Sequence, residues 1–185
     1  MEGLPKEENP WKIISAKQVY DNPWISVTAY DVINPSGGNG IYGKVHFKNR
    51  AIGIVALDEH NQLFLVGQYR FVLDRYSWEL PEGGGPLDEA PLDAAKRELL
   101  EETGLVAENW EVLLEMDLSN SVTDEEVTVF LATGLMQKEA DPEPTEQLQV
   151  VRRPFSQVFD WVMNGEITDS ITVAAILKLK VLGYR

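Results

Sequence analysis

The spacing of apolar and polar residues changes period along the chain, and the changes predict its elements. From Trp11 to about Gln68 the pattern is mostly that of strands: Val27, Ala29 and Asp31 alternate with Thr28, Tyr30 and Val32. Residues 34–40, Asn-Pro-Ser-Gly-Gly-Asn-Gly, form a turn cluster, and residues 41–47 read as the return strand of a hairpin. The apolar run from Ala51 to Leu57 predicts a buried strand, followed by a turn at 58–61 and a return strand at 62–68. Residues 91–103 switch to helical period, with Pro91 suited to the first helical position and Gly104 to the residue just past the end. Strands are expected near 109–117 and 126–133, an acidic loop over 138–147, and amphipathic helices over 154–164 and 170–182. Strands with a few helices outside them predict an α/β sandwich around a mixed sheet. Residues 1–10 look like a loose lead-in.

Composition narrows the class. A chain of 185 residues suits one well-buried domain. No apolar run is long enough for a transmembrane helix, and the polar N-terminus lacks the apolar core of a signal peptide. There is no cysteine, which excludes disulfides and thiolate metal sites and leads us to expect a cytoplasmic protein. The net charge of −14 disfavours nucleic acid and anionic membranes as partners. Phosphate remains a ligand if divalent cations stand between it and the acids.

Many of those acids fall in one segment. Glu98, Glu101 and Glu102 lie at i, i+3 and i+4, on one face of the expected helix. Such like-charged pairs cost a helix a few tenths of a kcal/mol each, roughly. A solvated acidic face, with Arg97 pairing Glu101, would account for them. So would hard divalent cations, which take oxygen ligands.

The rest of the segment decides between these. Gly83 is followed by Glu89, then by Arg97-Glu98-Leu99, then by Glu101-Glu102 and Gly104-Leu105. This resembles the Nudix signature at every defining position. The resemblance implies a Nudix-type α/β/α sandwich with an N-terminal strand-rich extension. It divides the chain into a 1–48 region, for dimerisation and base binding, and a 49–185 hydrolase domain. It implies Glu98 and Glu102 as principal ligands of Mg2+, with Mn2+ as the alternative, and Glu101 as ligand of an additional ion. The main-chain carbonyl of Glu82 would add a further ligand. Arg97 would hold the catalytic glutamates, Glu89 would support the loop, Gly83 would permit the turn, and Leu99 and Leu105 would be core.

The proton acceptor of similar enzymes often comes from a loop after the motif. Thr123-Asp124-Glu125-Glu126 resembles the Ser-Asp-Glu loop of the ADP-ribose pyrophosphatase branch, with Glu125 as base or extra ligand and Glu126 second. His46 and His60 are expected to be structural or surface residues. Gln68-Tyr69-Arg70 and Trp78-Glu79-Leu80-Pro81-Glu82-Gly83 resemble the lead-in of the same branch. Arg70 would meet a substrate phosphate or form a surface ion pair, and Glu79 would also bind substrate. Trp24 and Tyr30 would stack on the base or lie in the core.

Two departures bear on the substrate. Asn120-Ser121 replaces a Pro-Gly pair, and Glu82 replaces a small residue. The resemblance implies hydrolysis of ADP-ribose to AMP and ribose 5-phosphate by a homodimer. A GDP-sugar, another ADP-sugar or a dinucleotide is the alternative substrate. A non-hydrolytic nucleotide-binding module has no need of the metal ligands. A prenyl diphosphate isomerase would use a cysteine, which the chain lacks, and RNA decapping would call for a basic stripe.

Overall fold

The computed structural model describes Leu4, residues 7–138 and residues 147–185. Most of the expected acidic loop therefore lies outside the described residues. The chain divides into two compact units, Met1–Lys48 with Ser119–Asp124, and Asn49–Leu118 with Glu125–Arg185.

The first unit is an antiparallel meander of β1 (Lys12–Asp21), β2 (Ile25–Ile33) and β3 (Asn39–Phe47). Its β2–β3 turn is organised by Asn34, whose Oδ1 accepts from the peptide N–H groups of Ser36 and Gly38, both at 3.0 Å. Gly37 supplies the positive φ of 86° there. The segment Ser119–Asp124 lies along β3, with Val45 N donating to Val122 O at 2.9 Å and Asp124 N to Val45 O at 3.2 Å. It therefore groups with the N-terminal strands, although the chain enters it from the second unit. Tyr30 is half-buried here and Trp24 is exposed.

The second unit contains β4 (Asn49–Ala56), β5 (Gln62–Arg70), β6 (Arg75–Glu79), β7 (Glu82–Pro86), α1 (Pro91–Thr103) and β8 (Leu105–Asp117). They are followed by β9 (Glu126–Gln137), β10 (Gln149–Pro154), α2 (Phe155–Met163) and α3 (Ser170–Val181). The mixed sheet runs β7-β4-β9-β8, with β4 and β9 parallel, and a second sheet runs β10-β5-β6.

The period-two alternation of a strand sorts the core onto two faces. From β4 and β9, Ile52, Ile54, Ala56, Phe130 and Ala132 join Ala94, Ala95 and Leu99 of α1. The intervening Val55, Val127, Val129 and Leu131 join Phe155 and Val158 of α2 and Ile171, Ala175, Ile176 and Leu179 of α3. Burial on both faces explains the unbroken apolar run at 51–57. The result is the expected α/β/α sandwich around a mixed sheet, with a strand-rich N-terminal extension.

Three strands escaped the sequence pattern. β7 consists of Glu-Gly-Gly-Gly-Pro, which carries little side-chain signal. β6 is five residues long, and β10 runs into Pro154. β8 also begins directly after Gly104, earlier than expected. Among the described residues no helix is long and apolar enough to cross a membrane.

Candidate active site

The motif helix runs from Pro91 to Thr103 and is capped by Gly104, whose φ of 70° allows its N–H to reach Leu100 O at 2.9 Å. Its apolar stripe of Ala94, Ala95 and Leu99 faces the sheet, which turns the acids of the same helix toward β7. β7 pairs antiparallel with β4, with Gly83 opposite Ile52. Gly83 lies within this strand and makes no turn. A Cβ there would stand 2.2 Å from the Glu98 carboxylate, so the residue is glycine because Glu98 closes onto its backbone.

Arg97 organises the helix acids. Its Nη1 donates to Glu98 Oε1 at 2.7 Å and to Glu101 Oε2 at 2.9 Å. Its Nη2 donates to Gly84 O at 3.1 Å and Glu89 Oε2 at 3.2 Å. Burial alone would lower the pKa of Arg97, but the bond to Glu89 and the charge of Glu98 outweigh it and raise the value, keeping the guanidinium charged. Glu102 is buried, and its Oε2 accepts from the Glu82 peptide N–H at 3.0 Å. Leu99 and Leu105 are core, as expected.

A second arginine assembles a second acidic group. Arg70, at the end of β5, donates from Nε to both oxygens of Glu79 at 3.0 and 2.9 Å. Its Nη2 donates to Glu79 Oε2 at 2.5 Å and also to Glu82 Oε1. Of the two readings of Arg70, the ion pair is therefore present. Glu79 is only 3% exposed. Glu82 enters through its side chain, whose pKa is raised well above the ordinary range by burial first and then by the charges of Asp169 and Glu79.

Asp169 was not singled out from the sequence. It caps α3, its Oδ2 accepting from Thr172 N at 2.7 Å. An aspartate before a helix is legible as a cap; its approach to Glu79 and Glu82 is not. Oxygens of Glu79, Glu82 and Asp169 lie within 4.8 Å of one another. Among the described residues this trio closes in that way, while Arg97 bridges Glu98 and Glu101.

The remaining candidates are more dispersed. Glu125 precedes β9, its carbonyl accepting from Leu118 N at 3.0 Å, and burial raises the pKa of its half-buried carboxyl. Glu126 is exposed. Trp24 is 66% exposed and belongs to the other unit. His46 Nδ1 is 2.8 Å from Asp124, and His60 is on the surface.

The donor chemistry suits a divalent cation. Carboxylate oxygens are hard ligands, and Glu82 Oε2 is sealed from solvent without a hydrogen-bond partner.

Comparison with known proteins agrees. Residues 47–170 match the Nudix domain, and residues 11–45 match the nucleoside diphosphate sugar hydrolase N-terminal domain. The chain is 35% identical to an ADP-ribose pyrophosphatase of Mycobacterium tuberculosis, over 92% of this chain and 83% of that protein. It is 30% identical to a CMP-5'-(N-acetyl-N-hydroxy-3-aminopropyl)phosphonate hydrolase of Streptomyces rubellomurinus, over 94% and 84%. A crystal structure of an ADP compounds hydrolase superposes with a TM-score of 0.85 at 21% identity, covering 96% of each chain, which bears on the fold. With the signature acids held by Arg97 and both domain matches in place, the chain belongs to the Nudix family, in its ADP-ribose pyrophosphatase-like branch, as a pyrophosphohydrolase with a metal-binding site.

Proposed function

We propose that the protein hydrolyses the diphosphate bond of ADP-ribose, giving AMP and ribose 5-phosphate, with Mg2+ or Mn2+ as cofactor. The observation that carries this reading is the set of motif acids: Glu98 and Glu101 held by Arg97, Glu98 seated against the Gly83 backbone, and Glu102 accepting from the Glu82 peptide N–H. Glu98 and Glu102 would hold the ion, with Glu101 and the Glu82 carbonyl as additional ligands. A bound divalent ion supplies a charge sink for the phosphate oxygens and a more acidic coordinated water. Glu125 is assigned the proton of the attacking water. Its half-buried carboxyl, raised by desolvation, is closer to neutral pH than an exposed glutamate would be. Arg70, oriented by Glu79 and Glu82, is assigned a substrate phosphate, and Glu79 and Trp24 are assigned the rest of the substrate. Glu89 and Gly104 keep the loop and helix end in place.

We also propose a homodimer, supported by the exposure of the first unit's β1. All ten residues of β1 are exposed, among them the apolar Ile13, Ile14, Val19 and Tyr20. An uncovered edge strand of this kind is a pairing surface, and sedimentation as a monomer at micromolar concentration would remove the assignment. The same reading places the protein in the cytoplasm. GDP-sugars, other ADP-sugars and dinucleotides are the rival substrates, because the match over residues 11–45 is to a sugar-nucleotide hydrolase module.

The test is phosphatase-coupled phosphate release from ADP-ribose, ADP-glucose, GDP-mannose, NADH and diadenosine polyphosphates, with products identified by chromatography. AMP and ribose 5-phosphate from ADP-ribose at the highest kcat/KM are expected. Preference for a sugar nucleotide would reassign the substrate, and no cleavage of any compound would favour a nucleotide-binding module.

A further inference from the structure

The acids around Arg70 outnumber it. Glu79, Glu82 and Asp169 bring three carboxylates within 4.8 Å of one another, against one guanidinium. With all three ionised, the charge beyond that of Arg70 would match one divalent cation. Arg70 occupies both oxygens of Glu79 and Oε1 of Glu82. Glu82 Oε2 has no partner and no access to solvent. A single carboxylate would neutralise Arg70, so pairing with arginine leaves two further carboxylates and the orphaned oxygen unexplained. Buried acceptors without donors are rare in folded proteins, and a hard cation is a natural partner for a cluster of carboxylate oxygens.

Two regions distant in sequence bring these residues together. Glu79 closes β6, Glu82 opens β7 and Asp169 caps α3. The segment between the strands is fixed by Leu80 N donating to Thr172 Oγ1 at 2.9 Å, which ties the acids of the β6–β7 connection to the helix that Asp169 caps. Glu102 accepts from the Glu82 peptide N–H, so the group adjoins the motif acids without including them.

We propose that Glu79, Glu82 and Asp169 form a second divalent-cation site, distinct in its ligands from Glu98 and Glu102. The ion is of the magnesium or manganese class, held by carboxylate oxygens. The site builds on the hydrolase reading only in lying beside the motif acids, and its test is made without substrate, so failure of either reading is seen separately.

Manganese is the probe. Free Mn2+ is counted by electron paramagnetic resonance during titration of the full chain carrying E98Q and E101Q, which weakens the motif ligands and leaves the Arg70 group whole. One Mn2+ bound per chain is expected. Adding Glu82→Ala should abolish that binding, while Arg70 keeps Glu79 as its partner. Adding Asp169→Asn, which retains a capping side chain, should weaken binding by about tenfold or more. The Asp169→Asn chain carries the test on its own should Glu82→Ala fail to fold, as judged by circular dichroism. The proposal is overturned if the E98Q/E101Q chain binds no Mn2+, or if both added substitutions leave its affinity unchanged.

Discussion

Two arginines in the catalytic unit gather acids in different ways. Arg97 draws Glu89, Glu98 and Glu101 from one continuous segment, and these carboxylates stay 12% to 27% exposed. Arg70 gathers Glu79 at 3% and Glu82 at 12%, and feels the charge of Asp169 from a helix almost a hundred residues further on. The first group is local, partly wet and arranged by helical spacing. The second is long-range, drier and arranged by the fold. The difference separates two jobs: the Arg97 group can exchange ligands with solvent and substrate, whereas the Arg70 group is coupled to the packing around it.

That contrast fixes what each substitution should do. The largest effect belongs to Glu98→Gln, which removes a carboxylate from the Arg97 group. Turnover should fall on the order of 10³-fold, with an unchanged melting temperature, because metal-dependent stabilisation of transition-state charge amounts to several kcal/mol. Arg97→Ala should reduce kcat about 10–100-fold by loosening its acids, again with little change in stability. A loss of folding in place of a loss of rate would erase the distinction between the two arginines.

Arg70→Ala should lower stability as well as weakening the substrate binding assigned to it. It strands Glu79 in a buried position, and the expected destabilisation in urea is about 2 kcal/mol. That is below the value for a fully buried pair because Arg70 is itself 36% exposed. Thr172→Val removes the buried acceptor of Leu80 N and should cost about 1 kcal/mol, checked by the same urea midpoint.

The smallest effect lies in the first unit. Burial pushes the Asp124 carboxyl up, but hydrogen bonds from Lys44 at 2.7 Å, His46 and the Phe47 peptide hold it at about 2. Its folded pKa is thus below the ordinary aspartate value of about 3.9. The sign follows: this anchor stabilises fully above roughly pH 4 and is lost as pH falls toward the folded value. Lys44→Ala should move the carboxyl titration, followed by nuclear magnetic resonance, upward toward the ordinary value.

The same contrast governs what the sequence made legible. Glu98, Glu101 and Glu102 share a helix face by spacing alone, and Pro91 and Gly104 mark its ends through local backbone chemistry. The burial of β4 was likewise legible in its apolar run, though not which elements cover each face. The triple glycine of β7 hid a strand, because a strand without side chains has no alternation to read. Gly83 was expected to make a turn, yet it serves a close approach by a side chain fifteen residues on, which only tertiary packing specifies. Asp169 could be read as a helix cap, but nothing local places it beside Glu79 and Glu82.

The most direct measurement of the central claim is hydrolysis of the best diphosphate substrate by the wild type and by Glu102→Gln, each in EDTA and after addition of magnesium. The expected result is no turnover by the wild type in EDTA, restoration by magnesium, and little restoration for Glu102→Gln despite an unaltered melting temperature. Undiminished turnover in EDTA, or by Glu102→Gln with magnesium, would contradict catalysis through the motif acids.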